Sequence, residues 1–172
     1  IFSQREVWKD TESTKNALES VSKEDADIIM ISEVTNWDEM LKAMELAETG
    51  HLVITTLNAS SATWAVTKAI DFFQPDKQWS VQNKLWDILV WVMCQKLIPK
   101  ADWKWLVWIF ELLLFNMWIR NLVKTWNFSQ VKAQIETWEK SWMILMRKYA
   151  QKLEWDWVIK NEDYIDLLPS EE

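Results

Sequence analysis

The order of apolar and polar positions predicts alternating helices and short strands in the first part of the chain. Residues 14–24 and 37–49 have helical spacing, and Asn36 is placed to cap the second of these helices. Between them, residues 28–31 are a continuous apolar run, which is typical of a strand buried on both faces, and residues 51–57 are a second strand candidate. A strand, a helix and a strand at this spacing favour a right-handed parallel crossover, so the sequence predicts an α/β fold.

The middle of the chain predicts two helices followed by a hairpin. Residues 60–73 have helical spacing that begins at a serine cap, and residues 75–96 continue it, with Pro75 suited to an opening turn. Residues 95–98 and the apolar run that begins at Leu106 are expected to pair as antiparallel strands.

The last third of the chain changes to short helical patterns, at residues 118–124, 129–137, 142–153 and 161–168. This pattern predicts a small helical subdomain, residues 116–172, after a sheet-containing core, residues 1–115. Two apolar runs in the chain are shorter than the roughly 18 residues that a membrane-spanning helix needs, and each contains an acid. We therefore expect no transmembrane segment.

Charge and cysteine content exclude several classes of function. The net charge of −7 leaves no basic face for phosphate contacts, so nucleic acid is not an expected partner. Cys94 is the only cysteine, which excludes an internal disulfide and a zinc site built from thiolates. Its expected state is that of a buried core residue in a reducing cytoplasm.

Two predicted strands carry side chains suited to phosphoryl transfer. Ser32 and Glu33 follow the first strand directly, where a carboxylate held by rigid backbone can lie beside Mg²⁺ and an attacking water. His51, the only histidine, opens the neighbouring strand, and we expect it to lie beside Glu33. A solvated acid and a structural histidine give the same pattern, so both alternatives stay open.

Six segments, in this order and spacing, closely resemble the type IV pilus retraction ATPases (PilT type) of the secretion ATPase superfamily: QREVWKDTES, KEDADIIMISEV, AETGHLVITTLNASSA, QKLIPKAD, WIRNLVKT and QIETWEKSWM. The resemblance covers essentially the whole chain. It implies the second half of a RecA-like P-loop ATPase domain, with its Walker B block and His box, followed by the C-terminal helical region of the family. The implied function is that of the C-terminal part of a hexameric motor, in which ATP hydrolysis drives pilus retraction and twitching motility.

The resemblance also implies roles for individual residues. Glu33, at the end of the Walker B block, is expected to orient or deprotonate the attacking water, and Ser32 beside it is an expected nucleotide-binding position. His51 matches the first histidine of the His box, which is expected to sense the γ-phosphate or to contact a neighbouring subunit of the ring. Asn58 stands at the second His-box position and is the other expected nucleotide-binding residue.

A further matched block is associated with retraction rather than with nucleotide binding. Ile119, Arg120, Asn121 and Leu122 match the AIRNLIRE motif of the family. By spacing alone they form one amphipathic turn, with Ile119 and Leu122 inward and Arg120 outward.

The resemblance implies ATP and Mg²⁺ as cofactors. The implied partners are further copies of the chain in a homohexameric ring and the pilus machinery at the base of the inner membrane. The implied location is cytoplasmic and peripheral to that membrane. A single cysteine favours the retraction type over the assembly ATPases of the same superfamily, which usually carry a four-cysteine zinc site.

Several features depart from the family pattern. Ser32 replaces the Walker B glycine, Thr35 replaces an arginine, and Asn58 replaces a histidine, so Asn58 can form hydrogen bonds but cannot take a proton. The phosphate-binding loop GxxxxGK[ST] is absent, and we expect no ordinary ATP binding or hydrolysis by the chain alone. An alternative function is that of a weakly active or non-catalytic auxiliary paralogue of the motor ring.

The tryptophan and glycine counts are unusual. The chain has 15 tryptophans and one glycine, whereas an average glycine share of roughly 7% would give about 12. Five of the tryptophans stand where the family commonly has glycine: Trp103, Trp105, Trp138, Trp142 and Trp157. One hypothesis is that most are UGA codons read as glycine in the source genome but translated here as tryptophan. The alternative is a tryptophan-rich core or interaction surface.

Overall fold

The computed structural model describes residues 2–102, 104–124, 130 and 143–168. Contacts between residues divide the chain into two compact units. The first comprises residues 1–58 and 69–88, and the second comprises residues 59–68 and 89–172. The division of the chain into residues 1–115 and 116–172, made from the sequence, stays a prediction.

The first unit contains a strand, a helix and a strand, preceded by one helix and followed by another. Its complete elements are α1 (Thr14–Val21), β1 (Ile28–Ile31), α2 (Trp37–Glu48), β2 (Leu52–Thr55) and α4 (Pro75–Ile88), and it also holds the last residues of α3 (Ala62–Asp71). β1 and β2 pair in parallel, with Ile28 opposite Leu52 and Ile31 opposite Thr55. The predicted parallel crossover is therefore confirmed.

Side-chain caps explain where α1 and α2 begin, and a glycine follows the end of α2. The Ser13 hydroxyl accepts a hydrogen bond from the N–H of Asn16, and the Asn36 side-chain oxygen accepts one from the N–H of Glu39 at 3.0 Å. These side chains satisfy N–H groups that have no partner within the first turn of a helix. Beyond the end of α2, Gly50 has a φ of +100°, which glycine adopts without strain.

The burial of the parallel strands differs from the prediction. Ile29 and Ile31 are buried, whereas Ile28 and Met30 are exposed. Alternate residues of a strand face opposite sides, and no described element of the first unit covers the second side. The prediction of burial on both faces is therefore wrong for this chain.

The second unit is built on an antiparallel hairpin. Its complete elements are β3 (Trp91–Pro99), β4 (Leu106–Leu114), α5 (Met117–Lys124), α6 (Met146–Trp155) and two short 3₁₀ turns (Asn161–Asp163 and Ile165–Leu167), and it also holds the first residues of α3. β3 pairs with β4 along its whole length, from Trp91 opposite Leu114 to Pro99 opposite Leu106. The predicted hairpin is confirmed.

One predicted helix is too long. α4 ends at Ile88, and residues 91–96, predicted as its continuation, belong to β3. The buried residues of β3, Cys94 and Ile98, are four positions apart. That spacing fits one face of a helix and one face of a strand equally well, so periodicity does not distinguish the two structures. Residues 91–96 form a strand because they pair with β4.

The core of the second unit lies between the hairpin and α6. It is formed by Cys94, Ile98, Ile109, Met146, Ala150, Ile159 and Tyr164. Cys94 is buried, as predicted, and burial, with a smaller effect from the Glu111 carboxylate, raises the pKa of its thiol. A thiol held protonated is a poor nucleophile and a poor metal ligand, so Cys94 serves packing.

The C-terminal helical predictions are confirmed in part. α5 covers the predicted helix at residues 118–124, and α6 covers most of the helix predicted at residues 142–153. Residues 161–168 form two 3₁₀ turns instead of one helix, and of the helix predicted at residues 129–137 only residue 130 is described. Within the described ranges, no helix has the length and apolar character needed to cross a bilayer.

Candidate functional site

Ser32 and Glu33 lie at the carboxyl end of the parallel strand pair. Both are exposed and follow β1 directly. The Thr56 hydroxyl donates a 2.5 Å hydrogen bond to the carbonyl of Ser32, and the N–H of Val34 donates to the carbonyl of Thr56 at 3.3 Å. These bonds continue the parallel pairing past the ends of both strands. Open α/β sheets bind their ligands at this edge.

The backbone on both sides of Glu33 is anchored. Ser32 is held by the Thr56 hydroxyl, and Val34 is 2% exposed and bonded to Thr56. The Glu33 side chain, in contrast, is exposed. A carboxylate fixed at its backbone and open to solvent can accept a proton from a water or orient it, which is the chemistry expected of a general base.

Thr35 takes part in the start of α2. Its N–H and its hydroxyl both donate to the Glu39 carboxylate, at 2.9 and 3.0 Å, while Asn36 caps the helix. This arrangement is a variant of the capping box. Thr35 therefore has a structural use at the position where the family has an arginine, and it supplies no positive charge to the edge.

Asn58 lies on the same side of the strand pair as Ser32 and Glu33. It is exposed and follows Thr56 by two residues, beyond the carboxyl end of β2. The structure thus brings three of the four expected nucleotide-site residues to one edge.

His51 lies at the opposite edge, and the expectation that it adjoins Glu33 is wrong. Leu52, which follows His51, is opposite Ile28 at the start of β1, whereas Glu33 comes after the end of β1. At about 3.3 Å per residue, the strand pair alone separates them by roughly 10 Å or more. In a parallel pair, the residue before one strand and the residue after its neighbour lie at opposite ends.

The His51 ring contacts the end of α2. Its Nδ1 atom is 2.9 Å from the carbonyl oxygen of Leu46 and 3.1 Å from the hydroxyl of Thr49. A carbonyl oxygen only accepts hydrogen bonds, so this contact assigns a proton to Nδ1, which in the neutral ring leaves the lone pair on Nε2. The ring adds to the hydrogen bonds that the N–H of His51 and the hydroxyl of Thr49 donate to this carbonyl in the last turn of α2.

The described residues at the carboxyl edge do not form a metal cage. Among the described residues, no cluster of three or more His, Cys, Asp or Glu side chains could hold a metal ion. Mg²⁺ that arrives with phosphates needs few ligands from the protein, so a site for it does not require such a cluster. The Thr55 hydroxyl, opposite Ile31 at this edge, is buried without a hydrogen-bond partner in the described part of the chain.

The four residues of the retraction motif lie on α5 in the second unit. Ile119 is buried, and its N–H donates to the Asn116 side-chain oxygen at 2.9 Å. Asn121 is exposed and Leu122 is half-buried. Arg120 is half-buried, and its Nη2 atom donates a 2.8 Å hydrogen bond to the carbonyl of Leu89. The expectation that Arg120 points outward is wrong, because this backbone carbonyl holds its guanidinium.

Sequence reasoning missed the structural importance of Glu111. This carboxylate lies in the middle of β4, is 7% exposed, and accepts a hydrogen bond from the N–H of Ala62 at the start of α3. The available signal was an acid within the apolar run VWIFELLL, since a buried charge needs a specific partner.

Comparisons with known proteins agree with this architecture. The family described as type II/IV secretion system protein matches residues 4–137. A twitching motility protein of Neisseria gonorrhoeae is 32% identical over 153 residues, which are 89% of this chain and 41% of that protein. The type IV pilus retractation ATPase PilT of Pseudomonas aeruginosa strain PAO1 is 34% identical over 137 residues, 80% of this chain and 40% of that protein.

Solved structures give the same result. The crystal structure of the pilus retraction motor PilT with bound ADP matches with a TM-score of 0.89 and 32% identity, over 98% of this chain and 47% of that chain. The chain thus spans less than half the length of these relatives. The predicted α/β fold and the resemblance to pilus retraction ATPases are confirmed, and the chain belongs to the type II/IV secretion system protein family.

Proposed function

We propose that this chain is part of an ATP-hydrolysing motor that retracts type IV pili, and that Glu33 is its catalytic carboxylate. The observation that carries the proposal is the position of Glu33. The residues on either side of it, Ser32 and Val34, are hydrogen-bonded to Thr56 at the carboxyl end of β1. The Glu33 side chain itself is exposed to solvent. The likeness to PilT supports the same reading.

Each residue at this edge has a separate role in the proposed phosphoryl-transfer site. Glu33 holds the attacking water and accepts its proton, and Ser32 and Asn58 offer hydrogen bonds to the nucleotide. Bound Mg²⁺ would supply the charge that stabilises the phosphoryl group as the bond to the leaving group breaks.

The phosphate-binding loop does not come from these 172 residues. The motif GxxxxGK[ST] is absent from the sequence. Replacing every tryptophan by glycine would place a glycine directly before a lysine only at Lys9 and Lys104. Neither lysine is followed by Ser or Thr, because Asp10 and Trp105 stand there. ATP binding therefore requires a segment outside this sequence.

His51 fits a role between subunits better than a role beside Glu33. It lies at the other end of the strand pair, and in the neutral ring with the proton on Nδ1 its Nε2 atom is an acceptor. We propose that Nε2 meets a neighbouring copy in a homohexameric ring. The expected place of that ring is the cytoplasmic base of the pilus machinery at the inner membrane.

A second candidate is an auxiliary, weakly active or non-catalytic subunit of such a ring. Thr35 and Asn58 favour it, because a threonine used in a helix start cannot replace an arginine charge and an asparagine cannot take a proton.

The two candidates differ in ATPase activity, which is measured on the full gene product. For an active motor, Glu33→Gln is expected to lower kcat by about a hundredfold or more while ATP binding is kept. Glu19→Gln, an exposed carboxylate on α1, is the matched control and should leave kcat unchanged. Equal rates for wild type and Glu33→Gln would refute the role of Glu33, and a wild-type protein that binds ATP without hydrolysis would support the auxiliary subunit.

A further inference from the structure

In the described part of the chain, the residues other than glycine with positive φ are both tryptophans. Trp8 has a φ of 71° and Trp157 a φ of 58°. A side chain with a Cβ atom is strained in this left-handed region, and a bulky one especially so, whereas glycine is not. The only other positive φ in this part belongs to Gly50.

Trp157 occupies a position that glycine usually fills at the end of a helix. After α6, the N–H of Val158 donates to the carbonyl of Leu153 at 2.9 Å, and the N–H of Trp157 donates to the carbonyl of Glu154 at 3.0 Å. These two bonds define a Schellman motif, in which the left-handed residue beyond the helix is most often glycine.

The chain contains the same motif with glycine in that place. After α2, the N–H of His51 donates to the carbonyl of Leu46, and the N–H of Gly50 donates to the carbonyl of Ala47, both at 3.2 Å. Gly50 and Trp157 are therefore equivalent positions of two helix ends, and Trp157 is a tryptophan where the backbone favours glycine.

The described tryptophans are also more exposed than is usual for this large apolar side chain. Eleven are described, and ten of them are between 42% and 88% exposed, with Trp86 buried. These ten are Trp8, Trp37, Trp64, Trp79, Trp91, Trp105, Trp108, Trp118, Trp155 and Trp157. They are distributed over helices, strands and turns of both units, whereas a binding surface would concentrate them in one patch.

We propose that the gene carries UGA codons at these ten positions and that the source organism reads them as glycine. UGA differs from UGG, the tryptophan codon, and from GGA, a glycine codon, by one base each, so either assignment needs only a small change in decoding. Ten further glycines beside Gly50 would give eleven before the four tryptophans outside the described residues are counted, against the roughly 12 that an average composition gives. The native protein then has no indole side chains at these positions, and they do not form an aromatic interaction surface.

The test reads the codons and then the protein. The gene is sequenced at the 15 positions, and protein purified from the source organism is digested and analysed by peptide mass spectrometry. We expect UGA at Trp8, Trp157 and the other exposed positions, and peptides whose masses and fragment spectra carry glycine there. UGG at Trp8 and Trp157, or tryptophan in the native peptides at UGA codons, would overturn the proposal.

Discussion

The carboxylate of Glu111 on β4 accepts a 2.8 Å hydrogen bond from the N–H of Ala62, the first residue of α3. The two residues are 49 positions apart in sequence, and both are buried. An N–H group in the first turn of a helix has no partner within the helix, and the positive end of the helix dipole favours an anion. Glu111 therefore fixes the start of α3 to the hairpin.

Glu111→Ala is expected to destabilise the protein by about 1–3 kcal/mol, because it leaves the buried N–H of Ala62 without its acceptor. The measurement is the free energy of unfolding from chemical denaturation. Glu162→Ala is the matched control, since Glu162 forms only a 3.7 Å ion pair at the surface with Lys160, and such pairs contribute about 1 kcal/mol or less. Equal losses in the two variants would contradict the structural role of Glu111.

Arg120→Ala is expected to cost about 1.5–3 kcal/mol of stability, because the guanidinium bond to the Leu89 carbonyl is a hydrogen bond from a charged donor. Arg120→Lys should recover part of this loss if the ammonium reaches the same carbonyl. Met117→Ala, an exposed change on the same helix, should have little effect. Unchanged stability of Arg120→Ala would leave the motif arginine free for a purely functional role.

In protein produced with tryptophan at all 15 positions, as the sequence is written, Trp157→Gly is expected to add about 1 kcal/mol of stability, because glycine relieves the strain of a left-handed residue. Trp155→Gly removes an equally exposed indole from the last residue of α6, where glycine costs up to about 1 kcal/mol. The two variants should therefore shift the thermal midpoint in opposite directions. Trp157→Ala removes the indole but keeps Cβ, so a gain as large as that of Trp157→Gly would argue against backbone strain.

The stability of the second unit is expected to fall at alkaline pH because of Tyr164. Burial, together with a 2.6 Å hydrogen bond to the Glu154 carboxylate, raises the pKa of Tyr164 to about 12. A tyrosine in the unfolded chain loses its proton near pH 10, so its contribution is complete below about pH 10 and is lost as the pH rises towards 12.

Tyr164→Phe is expected to reduce this loss of stability between about pH 10 and 12. The readout is the free energy of unfolding across that range. Tyr149→Phe is the control, since the Tyr149 ring packs on Phe110 in the same unit. Identical pH profiles for wild type and Tyr164→Phe would contradict the assignment.

The amino-acid sequence by itself determined the local features of this protein and its family register. Asn36 acts on an N–H group only three residues away, so its role at the start of α2 could be read directly. The same holds for the apolar run of β1 and for Glu33 directly after it. Local hydrogen bonds and backbone preferences depend on near neighbours, which a sequence displays.

Tertiary structure decided everything that depends on which distant segments meet. It ended α4 at Ile88, because the following residues pair with β4. It placed His51 and Glu33 at opposite ends of the strand pair, and it brought Ala62 to Glu111 and Leu89 to Arg120. Spacing along a chain does not give the direction and register of pairing between strands, and these two properties determine which side chains share an edge.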